Sequence, residues 1–195
     1  MLADSLKEYT IILASGSPRR QELLQQLQIP FSIDVRKIEE NYPNNLEAEA
    51  ITDYLTVLKA RAFPSLKPND LLITSDTIVW HNGAALGKPK NKEEAISMLQ
   101  SLSDASHRVI TSVCFTTTKK QVIVNESTTV EFKKLSNDEI HYYIDTFQPF
   151  DKAGAYGIQE WIGLIGVTKI EGSYHNVMGL PTRLVYKTLM QFASP

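Results

Sequence analysis

Residues 11–27, IILASGSPRRQELLQQL, set a short apolar run against a serine–glycine–proline join and then a helical pattern. Ile11 to Ala14 reads as a short buried strand, and Pro18 to Gln28 as a helix with leucines at 23, 24 and 27. Gly16 permits close backbone approach, Ser15 and Ser17 offer hydroxyls, and Pro18 suits the first helical position. A helix N-terminus, with unpaired N–H groups and partial positive charge, favours an anion. Arg19 and Arg20 add planar donors matched to phosphate oxygens. The same residues also fit a capped surface helix with solvated arginines. The loop lacks the GK[ST] ending of a Walker A motif.

Outward from this join, Phe31–Val35 resembles a second strand. The polar stretch EENYPNNLEAEA leads into a helix through Ala62, ended by Pro64. Leu71–Trp80 is a β-branched strand, and Asn82-Gly83 marks a hairpin or tight turn. Residues 92–102 form a helical pattern with Ala95, Met98, Leu99 and Leu102 on one face. Strands at 108–118 and 121–132 make a hairpin, and Ser136 with an acidic first turn starts a helix to about 147. Strands near 162–170 and a last helix to Phe192 complete the chain. Alternation first and hairpins later predict an α/β fold with a mixed sheet, in a single domain over 1–195 with no separate linker.

The 195 residues are 43% hydrophobic, enough for one core or two small lobes, and the net charge of −2 implies neither a nucleic-acid face nor an acidic tail. Cys114, the only cysteine, reads as a buried thiol in a reducing compartment. MLADSLKEYT has no secretory character, and no apolar run approaches the ~20 residues that span a bilayer. The expected location is the cytoplasm, away from membranes.

Asp76 interrupts the apolar strand LLITSDTIVW, where an unpaired polar group would cost roughly 2–7 kcal/mol. It belongs at a strand end, caps something or binds a metal; a strand-end turn made with Thr77 is the plain alternative. Lys88 follows Gly87 in a turn, and the two glycines of DKAGAYGIQ place backbone close to some neighbour near Asp151 and Lys152.

Together LASGSPRR, SDTIV, GKP, DKAGAYGIQ and GSYHNVMGLP resemble, in order over residues 11–192, the Maf-type nucleoside triphosphate pyrophosphatases, also called septum formation inhibitor proteins. The resemblance implies hydrolysis of a nucleoside triphosphate to monophosphate and pyrophosphate, with a divalent cation, Mg²⁺ or Mn²⁺. It also implies the elongated mixed α/β architecture of inosine triphosphate pyrophosphatases, with two lobes around a cleft. The family's presumed proton acceptor maps to Asp76, and its acid after the second strand to Glu40; both are expected on the metal. Lys59 and Lys88 match its lysines, and with Ser15, Ser17 and Arg19 are expected on phosphate. Asp151 and Lys152 are placed among the binding residues. Arg19, Thr77 and Gln159 resemble the subgroup acting on dTTP and UTP rather than on 7-methyl-GTP. RKIEE replaces the commoner run before the acid, which leaves Glu39 and Glu40 both open, and His175-Asn176 replaces Tyr-Asn.

The chemistry fits these residue types. Carboxylates at 76 and 40 would repel a triphosphate unless a divalent ion lay between, and a glutamine amide can donate and accept at a pyrimidine edge. His81, His141 and His175 are too scattered for a zinc site. His107 reads as a surface or strand-entry histidine, and Tyr142, Tyr143 and Phe147 read as core. Trp80 and Trp161 are packing residues or interface anchors, and a homodimer stays open. The rival readings are a nucleotide-binding regulator of cell division and a phosphotransferase; intact Asp76, Lys59 and Lys88 argue against the first, the absent Walker A loop against the second.

Overall fold

In the computed structural model, which describes residues 2–193, the elements run α1 (Leu2–Ser5), β1 (Thr10–Leu13), α2 (Pro18–Gln26), β2 (Ser32–Ile33), α3 (Glu49–Arg61), β3 (Asp70–His81), β4 (Ala84–Leu86) and α4 (Lys92–Leu102). Then come β5 (Ser106–Thr116), β6 (Gln121–Phe132), α5 (Asn137–Phe147), a 3₁₀ turn (Ala153–Ala155), α6 (Trp161–Gly166), β7 (Val167–Glu171), α7 (Tyr174–Val177) and α8 (Thr182–Ala193). The sheet is mixed, in the order β2-β1-β3-β5-β6-β7 with β4 on β3. β1 pairs in parallel with β2 and β3, whereas β4 on β3 and β7 on β6 are antiparallel. The α/β expectation from the alternating pattern therefore holds.

Two compact units share the chain. The first takes the residues up to Asp76, Thr111–Glu126 and those from Gly179 onward. In it β1 runs parallel to β2 and to the first half of β3, and Leu72 of β3 packs with Ala60, Phe63 and Cys114. The second takes Thr77–Ile110 and Ser127–Met178, with a core of α4, α5 and α6 side chains around Phe132, Tyr143 and Tyr156. Tyr143 and Phe147 join this core, but Tyr142 does not: it is 52% exposed and meets Trp161 edge-on.

Local chemistry explains most boundaries. Asn82 and Gly83 both take positive φ, 50° and 74°, as the tight turn between β3 and β4 demands. Ser136 and Glu139 close a reciprocal capping box at the start of α5. The strand expected near 162 is instead helix to Gly166, with strand only from Val167. WIGLIG is an apolar run that periodicity alone cannot divide between strand and helix. Here Gly163 decides it: its backbone lies so close to Ile158 that a Cβ would fall 1.9 Å from that residue's carbonyl oxygen. The N–H groups of Gly163 and Leu164 both return to the Glu160 carbonyl, which starts the helical turn.

His107 is buried at 3% exposure, contrary to a surface placement, and makes a strand-entry hydrogen bond of 2.7 Å from Nε2 to the Tyr156 hydroxyl. Burial, with His81 adding repulsion, lowers its pKa to about 3. The unfolded chain therefore binds this proton first, so stability present above about pH 6.5 is lost as pH falls towards 3, at up to ~1.4 kcal/mol per pH unit. Urea unfolding of wild type and His107→Gln across that range is expected to show a steeper acid loss in wild type; parallel curves would remove His107 as the cause.

Candidate active site

Asp76 sits in the middle of β3 at 6% exposure, not at a strand end. A carboxylate there needs a countercharge, and Lys59 in the last turn of α3 brings it. Leu72, Thr74 and Asp76 share one face of the strand by alternation. Leu72 packs on Ala60, Thr74 Oγ1 donates to the Thr56 carbonyl at 2.8 Å, and Asp76 Oδ1 meets Lys59 Nζ at 2.7 Å. Three successive same-face positions thus seat α3. Lys59 Nζ also lies 3.2 Å from Glu40 Oε1 and 3.3 Å from the Ser75 carbonyl. Glu40, rather than Glu39, is the acid that reaches this point; Glu39 accepts from Asn41.

The two arginines at the strand–helix join part company. Neighbours on a helix are about 100° apart, so the two side chains leave α2 in different directions. Arg20 Nε donates to the Gly179 carbonyl at 2.8 Å and one terminal nitrogen to the Ser75 carbonyl at 2.9 Å. Burial lowers its pKa, with Asp76 pulling the other way, Arg19 adding to the lowering and Glu40 opposing it. Arg19 stays half-exposed on α2. Ser15 is buried, its Oγ accepting from Ser17 N–H at 3.3 Å, and Ser17 is the N-cap residue before Pro18. The sequence suggests Arg20 as a phosphate-matched donor beside Arg19; in the structure its donors go to the carbonyls of Gly179 and Ser75.

In the second unit, Thr77 follows Asp76 along β3, and strand alternation sends its side chain to the opposite face. Lys88 is exposed in the turn after β4, where the Gly87 carbonyl accepts from Gly154 N–H at 3.0 Å. Lys152 is buried, its Nζ 2.6 Å from Asp151 and 3.0 Å from Glu160. Glu160 in turn accepts from the Tyr143 hydroxyl, which itself accepts from Gly157 N–H at 3.0 Å. Burial and the Glu160 contact raise the Tyr143 pKa, which keeps the hydroxyl protonated as a donor. Between Gly157 and Glu160 lies Gln159, whose Oε1 is buried with no hydrogen-bond partner among the described residues. Tyr143 is the core residue that the sequence suggests, but its hydroxyl bond to Glu160 carries no local signal, since it spans 17 residues and joins two elements.

This fold belongs to a known class of α/β protein: a HAM1 protein from Coxiella burnetii superposes with a TM-score of 0.55 at 18% identity, covering 94% of this chain and 99% of the other. At the sequence level, the pattern of the Maf-like protein family matches residues 10–192, and the chain belongs to that family. It is 58% identical over 192 residues to a protein of Christiangramia forsetii and 56% identical over 190 residues to one of Flavobacterium johnsoniae. These matches cover 98% and 97% of this chain and 98% of each relative, and both relatives are named dTTP/UTP pyrophosphatase.

Lysine cannot reproduce the two directed bonds that Arg20 makes to the carbonyls of Ser75 and Gly179. Arg20→Lys is expected to lower unfolding free energy by about 2–4 kcal/mol, read as a shifted urea midpoint; an unchanged midpoint would show that these bonds do not hold the site.

Proposed function

We propose that the protein hydrolyses dTTP and UTP to the monophosphate and pyrophosphate. The observation that carries this reading is the buried Asp76 carboxylate with Lys59 on it and Glu40 on the same ammonium. Two carboxylates that share one cation suit Mg²⁺ or Mn²⁺, which take one or two carboxylates together with substrate phosphates. Among the described residues no group of three or more His, Cys, Asp or Glu side chains gathers as a metal cage. Asp76 and Glu40 would hold such an ion, which would supply countercharge and polarise the phosphoryl group.

Asp76 accepts a proton from the attacking water. The water oxygen bonds to the α-phosphorus, and the bond from that phosphorus to the α,β-bridging oxygen breaks, so pyrophosphate leaves with the electron pair. Arg19, Lys59 and Lys88, with Ser15, Ser17 and the first turn of α2, bind phosphate oxygens and stabilise the developing charge. Gln159 reads the base. Uracil and thymine present an N3–H between two carbonyls, and the open Oε1 is an acceptor for such a donor. Thr77 contributes to the same choice, and Asp151 and Lys152 serve by holding the loop. The buried, unpaired Cys114 accords with work in the reducing cytoplasm.

Purified protein with Mg²⁺ is expected to release pyrophosphate from dTTP and UTP; nucleotide binding without pyrophosphate would favour a regulator instead. Asp76→Asn is expected to fold and bind nucleotide yet lose ~10²–10⁴-fold in kcat, and a near wild-type rate would rule out the assigned base. In Gln159→Ala the ratio of kcat/KM for UTP over GTP is expected to fall; an unchanged ratio would mean that Gln159 merely ties down its loop.

A further inference from the structure

The turn that carries Gln159 is closed by more than packing needs. Tyr143 reaches it from α5 and touches both ends: its hydroxyl accepts from Gly157 N–H and donates to Glu160. Lys152, at 7% exposure, fastens the same Glu160 from the loop before. The fit leaves no slack, since a Cβ on Gly157 would lie 2.9 Å from the Glu160 carboxyl carbon and 3.0 Å from Lys152 Cε. A buried lysine–glutamate–tyrosine set is costly to desolvate, and an apolar replacement would hold two elements together as well. What such a set adds is direction: it holds the Gly157 backbone, two residues before Gln159, and the Glu160 side chain, one residue after it.

We propose that Tyr143, acting through Gly157 and Glu160, is a positioning residue for base selection that holds Gln159 in register with the pyrimidine edge. This rests on the reading of Gln159 given above. Tyr143 touches no substrate atom. Its ring is seated independently, stacked on Phe147 at 5.2 Å, so Tyr143→Phe removes the hydroxyl and leaves the packing. The substitution frees the Gly157 N–H and one Glu160 oxygen, and the turn between them gains freedom.

The test is steady-state hydrolysis of UTP and CTP by wild type, Tyr143→Phe, Gln159→Ala and the double variant. Tyr143→Phe is expected to lower kcat/KM for UTP about tenfold, chiefly through KM, and to change CTP by less than about threefold. In the Gln159→Ala background the same substitution is expected to shift the UTP/CTP ratio by less than about twofold, because a residue that acts through Gln159 has nothing more to lose. Glu160→Gln is expected to lower the ratio in the same direction and serves if Tyr143→Phe does not fold. Equal losses on both nucleotides, or effects that add fully to Gln159→Ala, would overturn the positioning role. A wild type that prefers UTP alongside a Tyr143→Phe that keeps the preference overturns this inference alone. A wild type with no preference for UTP over CTP overturns the reading of Gln159, and this inference with it.

Discussion

The Lys59 ammonium, 2.7 Å from Asp76 and 3.2 Å from Glu40, sets the terms for the first unit. A carboxylate in the middle of an apolar strand is tolerable only with a fixed cation, and a long flexible lysine stays fixed only when its helix is. α3 is anchored accordingly along its polar face. Thr52 Oγ1 and Ser112 Oγ lie 2.6 Å apart, Ser112 donates to Asp53, and Asn125 donates to both oxygens of the same carboxylate at 3.1 Å. Arg20 ties the start of α2 to the carbonyl of Ser75, which Lys59 also contacts. Apolar residues of similar volume would stabilise such a seam as well as or better than a buried ion pair. What the ion pair adds over apolar packing is a fixed charge, and the hydrogen bonds around it hold that charge still.

The second unit answers a different demand with the same device. Its core is large and mostly apolar, so the Lys152–Glu160–Tyr143 set stands out as buried polarity inside a well-packed cluster. In the first unit the polar groups surround a carboxylate assigned to chemistry. Here they close the turn that carries the neutral amide of Gln159, which has no charge to be neutralised. Directional bonds at both ends of a four-residue turn restrict where that amide can point, and apolar contacts alone would not.

Much of this was legible in the letters. Asn82-Gly83 specified its hairpin because both residues tolerate positive φ, and Ser136 with Glu139 specified the start of α5 because their side chains satisfy each other's backbone. The seventh strand was misplaced by five residues because WIGLIG has no period, and the deciding contact, Gly163 against the Ile158 backbone, involves no side chain of its own. Asp76 was singled out as an interruption in an apolar run, but its position in mid-strand depended on a lysine 17 residues away. The inward turn of Arg20 towards Gly179, 159 residues distant, had no local signal. Local rules read caps and turns; they do not read partners that only the fold brings together.

A division of labour follows from the charges themselves. Arg20 is engaged by backbone carbonyls, and Lys59 is shared by two carboxylates. A polyanion would meet two carboxylates around Lys59, and added countercharge from a divalent ion would be in keeping with this arrangement. Groups that hold phosphate are blind to the base, because every nucleoside triphosphate presents the same chain of oxygens. Selectivity must then come from elsewhere, and thymine's methyl contributes only about 1–3 kcal/mol in an apolar pocket. That leaves hydrogen-bond matching at the base edge as the stronger filter, since a mismatched base leaves a buried acceptor unpaired. On the reading proposed above, the Gln159 Oε1, buried without a partner among the described residues, is such an acceptor, and its cost when unmet would fall hardest on a base with no donor to give it.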